Sequence, residues 1–340
     1  MWNSKGNSFN RESYIYIVPG VGNQMISSVL SSLLAIVPIF GLILAGWSAG
    51  KTQILGPKAG GELNRFVIWL AMPAMLFDIV AKAKWSELWQ LDFIAVFGLT
   101  GLITMALVVS ISVFKNGQNL TDAVIEGLNA SYPNVGFMGF PMALLILGPQ
   151  SLLPTTIAAV MTICVFFAIA IILIEIGQNV GQTSGSTFTK VTKSLIRNPL
   201  LIAPMAAIPF SLFAITVPEP IKNFLNMLSA AASPCALITL GLCLAVRQKS
   251  SEPQPTISRF LIGCKLILQP MLAWFLAYKL FGLDPLVAQT AVLLAALPTG
   301  TGPFMLADYY QRGKKTSSEV VLISTLLSVF SIALVLVISR

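Results

Sequence analysis

Tyr132-Pro133-Asn134-Val135-Gly136-Phe137-Met138-Gly139-Phe140-Pro141 and Leu297-Pro298-Thr299-Gly300-Thr301-Gly302-Pro303-Phe304 each interrupt a long apolar run near its centre. A proline inside a helix removes one backbone donor and its ring clashes with the preceding turn, at a cost of roughly 3 kcal/mol. In lipid the freed polar groups have no water to bond, so unwound backbone at that depth must line a cavity enclosed by protein. Two such breaks at corresponding positions in two halves of a chain point to the binding site of a transporter.

Composition supplies the membrane. Of 340 residues 56% are hydrophobic and 10% charged, and the mean hydropathy is +0.82, well outside the range of a soluble domain. A spanning helix takes about 20 apolar residues, which leaves room for about ten and none for a soluble catalytic domain. The formal charge of +8 sits in loops between apolar segments. It is read as a topological signal and a contact for lipid headgroups, not for nucleic acid. Cys164, Cys235, Cys243 and Cys264 lie in apolar segments without metal-ligand spacing, and the chain has no histidine. No metal and no cofactor are therefore expected, although coupling to protons or sodium ions is not readable.

Apolar segments at 26–47, 64–82, 91–114, 120–147, 152–177, 198–215, 221–246, 257–281, 285–311 and 317–339 predict ten spans. The fold class expected is an all-α polytopic membrane protein. Its domains are an N-terminal tail (1–25), a first five-helix repeat (26–177), a linker (178–197) rich in Gly, Ser and Thr, and a second five-helix repeat (198–340). An odd number of spans per half makes the halves inverted. Pro73 and Pro234 are offset by 161 and Pro133 and Pro298 by 165, so two landmarks repeat at nearly one interval. Sorting loop Lys and Arg by side gives thirteen against seven, which puts the linker in the cytoplasm and both termini outside.

If spans 4 and 9 unwind and cross near the midplane, two helix N-termini with free N–H groups converge there, a setting suited to an anion. Asn134 and Asn129 on one segment, Thr299 and Thr301 on the other, and the amides around Gly136 and Gly300 are the candidate substrate-binding groups. The same Asn134 and Thr299 could instead satisfy carbonyls freed by Pro133, Pro141, Pro298 and Pro303. Among charged residues, Lys265 either answers the carbonyl ends of the broken helices, meets an anionic substrate, or snorkels to headgroups. Glu126 is a candidate proton-linked group, whereas Asp78, Glu175 and Asp308 read as interfacial or paired with loop bases. Span 5 carries no carboxylate between Pro154 and Ile174, which disfavours cation exchange, and no catalytic arrangement is visible.

The pair of motifs, Pro133-Asn134 with Met138-Gly139 and Pro141, then Ala295-Ala296-Leu297-Pro298 with Gly300, Pro303-Phe304, Ala307 and Tyr310, resembles the auxin efflux carrier family. Pro73 with Leu76-Phe77 looks like its bacterial members, often assigned to malonate or related acids. The resemblance runs over roughly 26–339. It implies ten helices in two inverted repeats with helices 4 and 9 broken and crossing, a scaffold of helices 1, 2, 6 and 7, and a transport domain of helices 3–5 and 8–10. It also implies a homodimer formed through the scaffold, elevator-like movement, and a carboxylate-binding role for Asn134. Thr299, Thr301 and Gly302 depart from the plant pattern, and the long central loop of the plant members is missing, which favours a small organic acid over auxin.

The function expected is a plasma-membrane secondary carrier of malonate- or malate-like anions, not an enzyme. The alternatives are a sodium-coupled symporter of the bile acid carrier type, a transporter-like receptor, and a channel.

Overall fold

The structure, a computed structural model, describes residues 37–38, 40–82, 89–178, 197–245 and 255–338. The predicted tail, most of the predicted linker and the first part of span 1 lie outside these residues. The described residues are helical, without strands. In chain order the helices are α1 (40–51), α2 (Ala59–Lys82), α3 (Leu91–Lys115), α4 (Leu120–Ser131), α5 (135–147), α6 (Pro149–Gln178), α7 (Pro199–Leu212), α8 (Glu219–Ala245), α9 (Thr256–Leu280), α10 (Pro285–Ala295), α11 (Gly302–Tyr309) and α12 (Lys314–Ile338). Six of them, α2, α3, α6, α8, α9 and α12, are long and apolar enough to cross a membrane. α5, α7 and α10 are shorter apolar helices. Predicted span 4 is thus divided into α4 and α5, and predicted span 9 into α10 and α11.

Local sequence sets the ends. Asn119, Asn198 and Asp284 stand before α4, α7 and α10, and their side chains accept from the backbone N–H of Asp122, Leu200 and Leu286. Pro199 and Pro285 then occupy first-turn positions where a missing N–H costs nothing. Between α5 and α6 the chain turns at Gly148, whose φ of 82° a side chain would resist. Within helices, Pro73, Pro141 and Pro270 each follow by two residues a wide π turn, at Val67–Ala71, Val135–Gly139 and Cys264–Leu268. The wider turn makes room for the ring and absorbs the lost hydrogen bond, so the helices continue through these prolines.

Packing sorts the helices into two groups. α1, α2, α7 and α8 lie against one another. α1 and α8 meet backbone to backbone: a Cβ on Gly46 would lie 2.2 Å from the carbonyl oxygen of Ile238, and one on Gly241 would lie 2.1 Å from that of Ile43. Without a hydrophobic force between helices in lipid, close approach at small residues supplies the contact. Phe77 of α2 and Phe210 of α7 add an edge-to-face pair at 5.3 Å. The second group joins α3, α4 and α6 to α9, α10 and α12, with the stacked rings of Phe93, Phe97 and Phe166 and the notch of Gly101 between α3 and α6. Large apolar side chains on the outside, such as Phe114, Met227, Phe260, Phe275 and Phe330, are what a lipid-facing surface requires.

Candidate functional site

The two interrupted segments cross at the centre of the second group. The chain leaves α4 at Tyr132 and re-enters a helix at Val135, while α10 ends at Ala295 and α11 begins at Gly302. Between them the backbones pair antiparallel at Pro133 and Thr299. The Asn134 N–H donates to the carbonyl of Pro298 at 2.8 Å and the Gly300 N–H to that of Tyr132 at 3.0 Å. Two prolines are tolerated because the groups that carry the bridge belong to their neighbours and to the Pro298 carbonyl. The bridge gathers four helix ends, the C-terminal ends of α4 and α10 and the N-terminal ends of α5 and α11.

The carbonyl ends are answered from α9 and α12. Lys265, fully buried, donates from Nζ to the carbonyl of Ala295 at 2.7 Å, and Ser331 donates from Oγ to that of Ala296 at 3.0 Å. Gln269, one turn beyond Lys265, donates from Nε2 to the carbonyl of Ser131 at 2.9 Å. Each bond meets a negative helix terminus whose carbonyls have no intrahelical partner. Lys265 therefore does not snorkel, and it does not line the cavity described below. Thr299 is likewise turned inward. Its Oγ1 donates to the carbonyl of Asn129 at 2.8 Å and its N–H donates to Ser324 Oγ at 3.1 Å. Asn129 spends its Nδ2 on the Ile125 carbonyl and on Ser317 Oγ. These residues hold the crossing together from behind.

In front of the crossing is a cavity of about 290 Å³, near the lower end of small-molecule sites. Asn134, Gly136, Gly300 and Thr301 line it, together with Tyr132, Pro133, Phe137 and Gly302. Opposite walls come from α2 through Met72, Met75, Asp78, Ile79 and Lys82, from α6 through Thr156, Ala159 and Ile163, and from α8 through Ala232 and Ser233. Asn134 is 5% and Thr301 6% exposed, yet among the described residues neither side chain has a hydrogen-bond partner. Among the described residues, the N–H groups of Gly136, Phe137, Thr301 and Gly302 find no backbone carbonyl to donate to. Unused donors at two helix N-termini form a ready anion-binding surface. Gly300 and Gly302 are required by Tyr132: a Cβ would lie 2.9 Å from its Cε1 in the first case and 2.8 Å from its Cζ in the second.

Of the remaining predicted groups only Asp78 lines the cavity, and the others lie elsewhere. Glu126 accepts from Ser112 Oγ at 2.6 Å and Gln118 Nε2 at 3.0 Å, between α3 and α4, and does not line the cavity. Pro303 stands in the first turn of α11, and Pro141 lies inside α5 just after its π turn. Asp308 pairs with Lys314, and Glu175 accepts from Tyr310 Oη at 2.8 Å. Asp78 pairs with Lys82, at 2.5 Å. Among the described residues no group of His, Cys, Asp or Glu could hold a metal ion.

Sequence reading did not single out Tyr132, Lys82, Gln269 or the serines of α12. For α12 a signal was present. Ser317, Ser324, Ser328 and Ser331 recur at intervals of three, four and seven along an apolar helix, which places them on one face.

The model of the family described as "Membrane transport protein" matches residues 31–336. A protein of Rhizobium meliloti (strain 1021) named "Putative malonate transporter" is 30% identical over 298 residues, covering 87% of this chain and 92% of that protein. An "Uncharacterized transporter" of Methanothermobacter thermautotrophicus is 26% identical over 310 residues, covering 90% and 97%. "Auxin efflux carrier component 2" of Oryza sativa subsp. japonica is 28% identical over 142 residues, 41% of this chain and 22% of that protein. With a family match that spans nearly the whole chain and relatives among both bacterial transporters and plant auxin carriers, this chain belongs to the membrane transport protein family of the auxin efflux carriers.

Proposed function

We propose that the chain is a secondary carrier of small carboxylate anions of the malonate or malate type, bound at the crossing and carried by an elevator-type alternating-access movement. The observation that carries this reading is the cavity wall built from two helix N-termini. Four amides without backbone acceptors, the free carboxamide of Asn134 and the free hydroxyl of Thr301 face one space. A carboxylate there would be held by N–H and O–H donors and by the positive ends of two helices, with no formal countercharge beside it. The relative named as a malonate transporter supports the substrate class.

The ten-span, inverted-repeat topology gives the movement its parts. α1, α2, α7 and α8 would form the scaffold, and the remaining helices, with both breaks, the transport domain. Support comes from the packing of the helices into these two groups and from a cavity with walls in both. A plasma-membrane location, termini on the outer side and a homodimer formed through the scaffold complete the proposal.

Counterflow tests it. Proteoliposomes preloaded with unlabelled malonate, malate, succinate or an indole acid are given the labelled acid without an imposed ion gradient. Accumulation of a dicarboxylate label is expected. Folded protein that accumulates none of them would overturn the carboxylate reading.

A further inference from the structure

We infer that Lys82, held by Asp78, is a second anion-binding pole of the same cavity and makes it select dianions with two nearby carboxylates over monoanions. This rests on the proposal that one carboxylate occupies the helix N-termini. Among the described residues, the cavity lining holds one formal cation and one formal anion, Lys82 and Asp78, both on α2 and one turn apart. Nζ of Lys82 lies 2.5 Å from Oδ2 of Asp78 and donates to Oδ1 of Asn226 on α8 at 3.1 Å. An ammonium has three donors, so among the described residues one is left over. The Lys82 side chain is half exposed, and its four-carbon stem lets the head turn toward the cavity without backbone movement.

The charge count gives the selectivity. Each helix N-terminus contributes roughly half a positive charge, so the two together match one carboxylate. A monoanion seated there leaves the Lys82–Asp78 pair as it is. A dianion brings a second carboxylate into a space walled by Met72, Met75, Ile79 and Met305, where a charge without a partner is costly. Lys82 is the group able to meet it, using its unspent donor or exchanging Asp78 for the substrate. Asp78 competes for the same ammonium. Loss of Lys82 and loss of Asp78 should therefore act on dianion binding with opposite signs, whereas an ion pair that only braces α2 against α8 would give the same sign for both.

The test is calorimetric titration of the full-length chain in detergent with malonate and with its monomethyl ester, a monoanion of similar size. Wild type is expected to prefer malonate. Lys82→Met should reduce that preference roughly 10- to 100-fold, the range of one hydrogen bond to a charged group, with ester affinity unchanged. Lys82→Arg should keep the preference and Asp78→Asn should increase it. A preference that survives Lys82→Met, or that Asp78→Asn lowers, overturns the inference while leaving a carboxylate at the crossing intact. Folded wild type that binds neither ligand removes the proposed function and this inference with it.

Discussion

Asn134 is buried, its side chain without a partner among the described residues, and it is adjacent to the proline that forces the chain out of α4, so its carboxamide is free for a ligand because the backbone beside it is already satisfied. Asn134→Ala removes that donor while the bridge through its N–H persists. The expected outcome is a loss of roughly 1–3 kcal/mol in carboxylate binding, with the melting temperature in detergent nearly unchanged. Unaltered affinity would take Asn134 out of contact with the substrate. Gly300 makes a prediction about shape. A methyl group there would press on the Tyr132 ring at 2.9 Å, so Gly300→Ala should destabilise by about 1–3 kcal/mol. Adding Tyr132→Leu should recover much of the loss, and additive effects of the two changes would show that the ring is not the obstacle. At this scale the sequence was only partly legible. Asn129 and Thr299 are the same residue types as Asn134 and Thr301 and lie within a few positions of them. Which of each pair faces the cavity depends on the direction of a bridged, non-helical backbone, and the helical period does not apply there.

Elements are where the sequence spoke most clearly, because proline and glycine act on the local backbone whatever the tertiary context. The divisions of α4 from α5 and of α10 from α11 fall at the quoted motifs. The π turns ahead of Pro73, Pro141 and Pro270 were not legible, since a run of apolar residues carries no mark of a turn one residue wider. Of the partners of the carbonyl ends, Lys265 was one the sequence offered, whereas Gln269 of α9 and Ser331 of α12, more than a hundred residues from α4, were hidden. Two substitutions test that bracing. Thr299→Val deletes the bond to the Asn129 carbonyl at 2.8 Å and should cost about 1 kcal/mol in stability. Lys265→Met leaves the Ala295 carbonyl without its donor and should cost roughly 1–3 kcal/mol. Neither residue lines the cavity, so the dissociation constant for the carried acid should stay within error in both variants. Titration alongside thermal unfolding separates the two quantities. A large loss of affinity at unchanged stability would bring Lys265 into the site and reverse the division between front and back.

Across the whole molecule, the division into two packed groups is the feature on which the proposed movement rests. The cavity has α2 and α8 on one side and the crossing on the other, and the contacts between the groups include the Asn64 amide of α2 against the carbonyl of Met305 on α11 at 3.5 Å. Such a contact is a poor hydrogen bond, and the Asn64 Oδ1 is left buried without a partner. A seam contact this weak suits the proposed sliding, because a strong bond at this point would favour one position over the other. If the crossing travels relative to the scaffold, tying this seam must stop transport without emptying the site. Asn64→Cys with Met305→Cys, in a background where the four native cysteines are replaced by alanine, can be joined by a short, cleavable thiol cross-linker. Counterflow should be lost on cross-linking and return on cleavage, while calorimetric binding of the acid to the cross-linked protein persists. Undiminished counterflow across a complete cross-link would rule out relative movement of α2 and α11 during transport, and the elevator reading would fall with it.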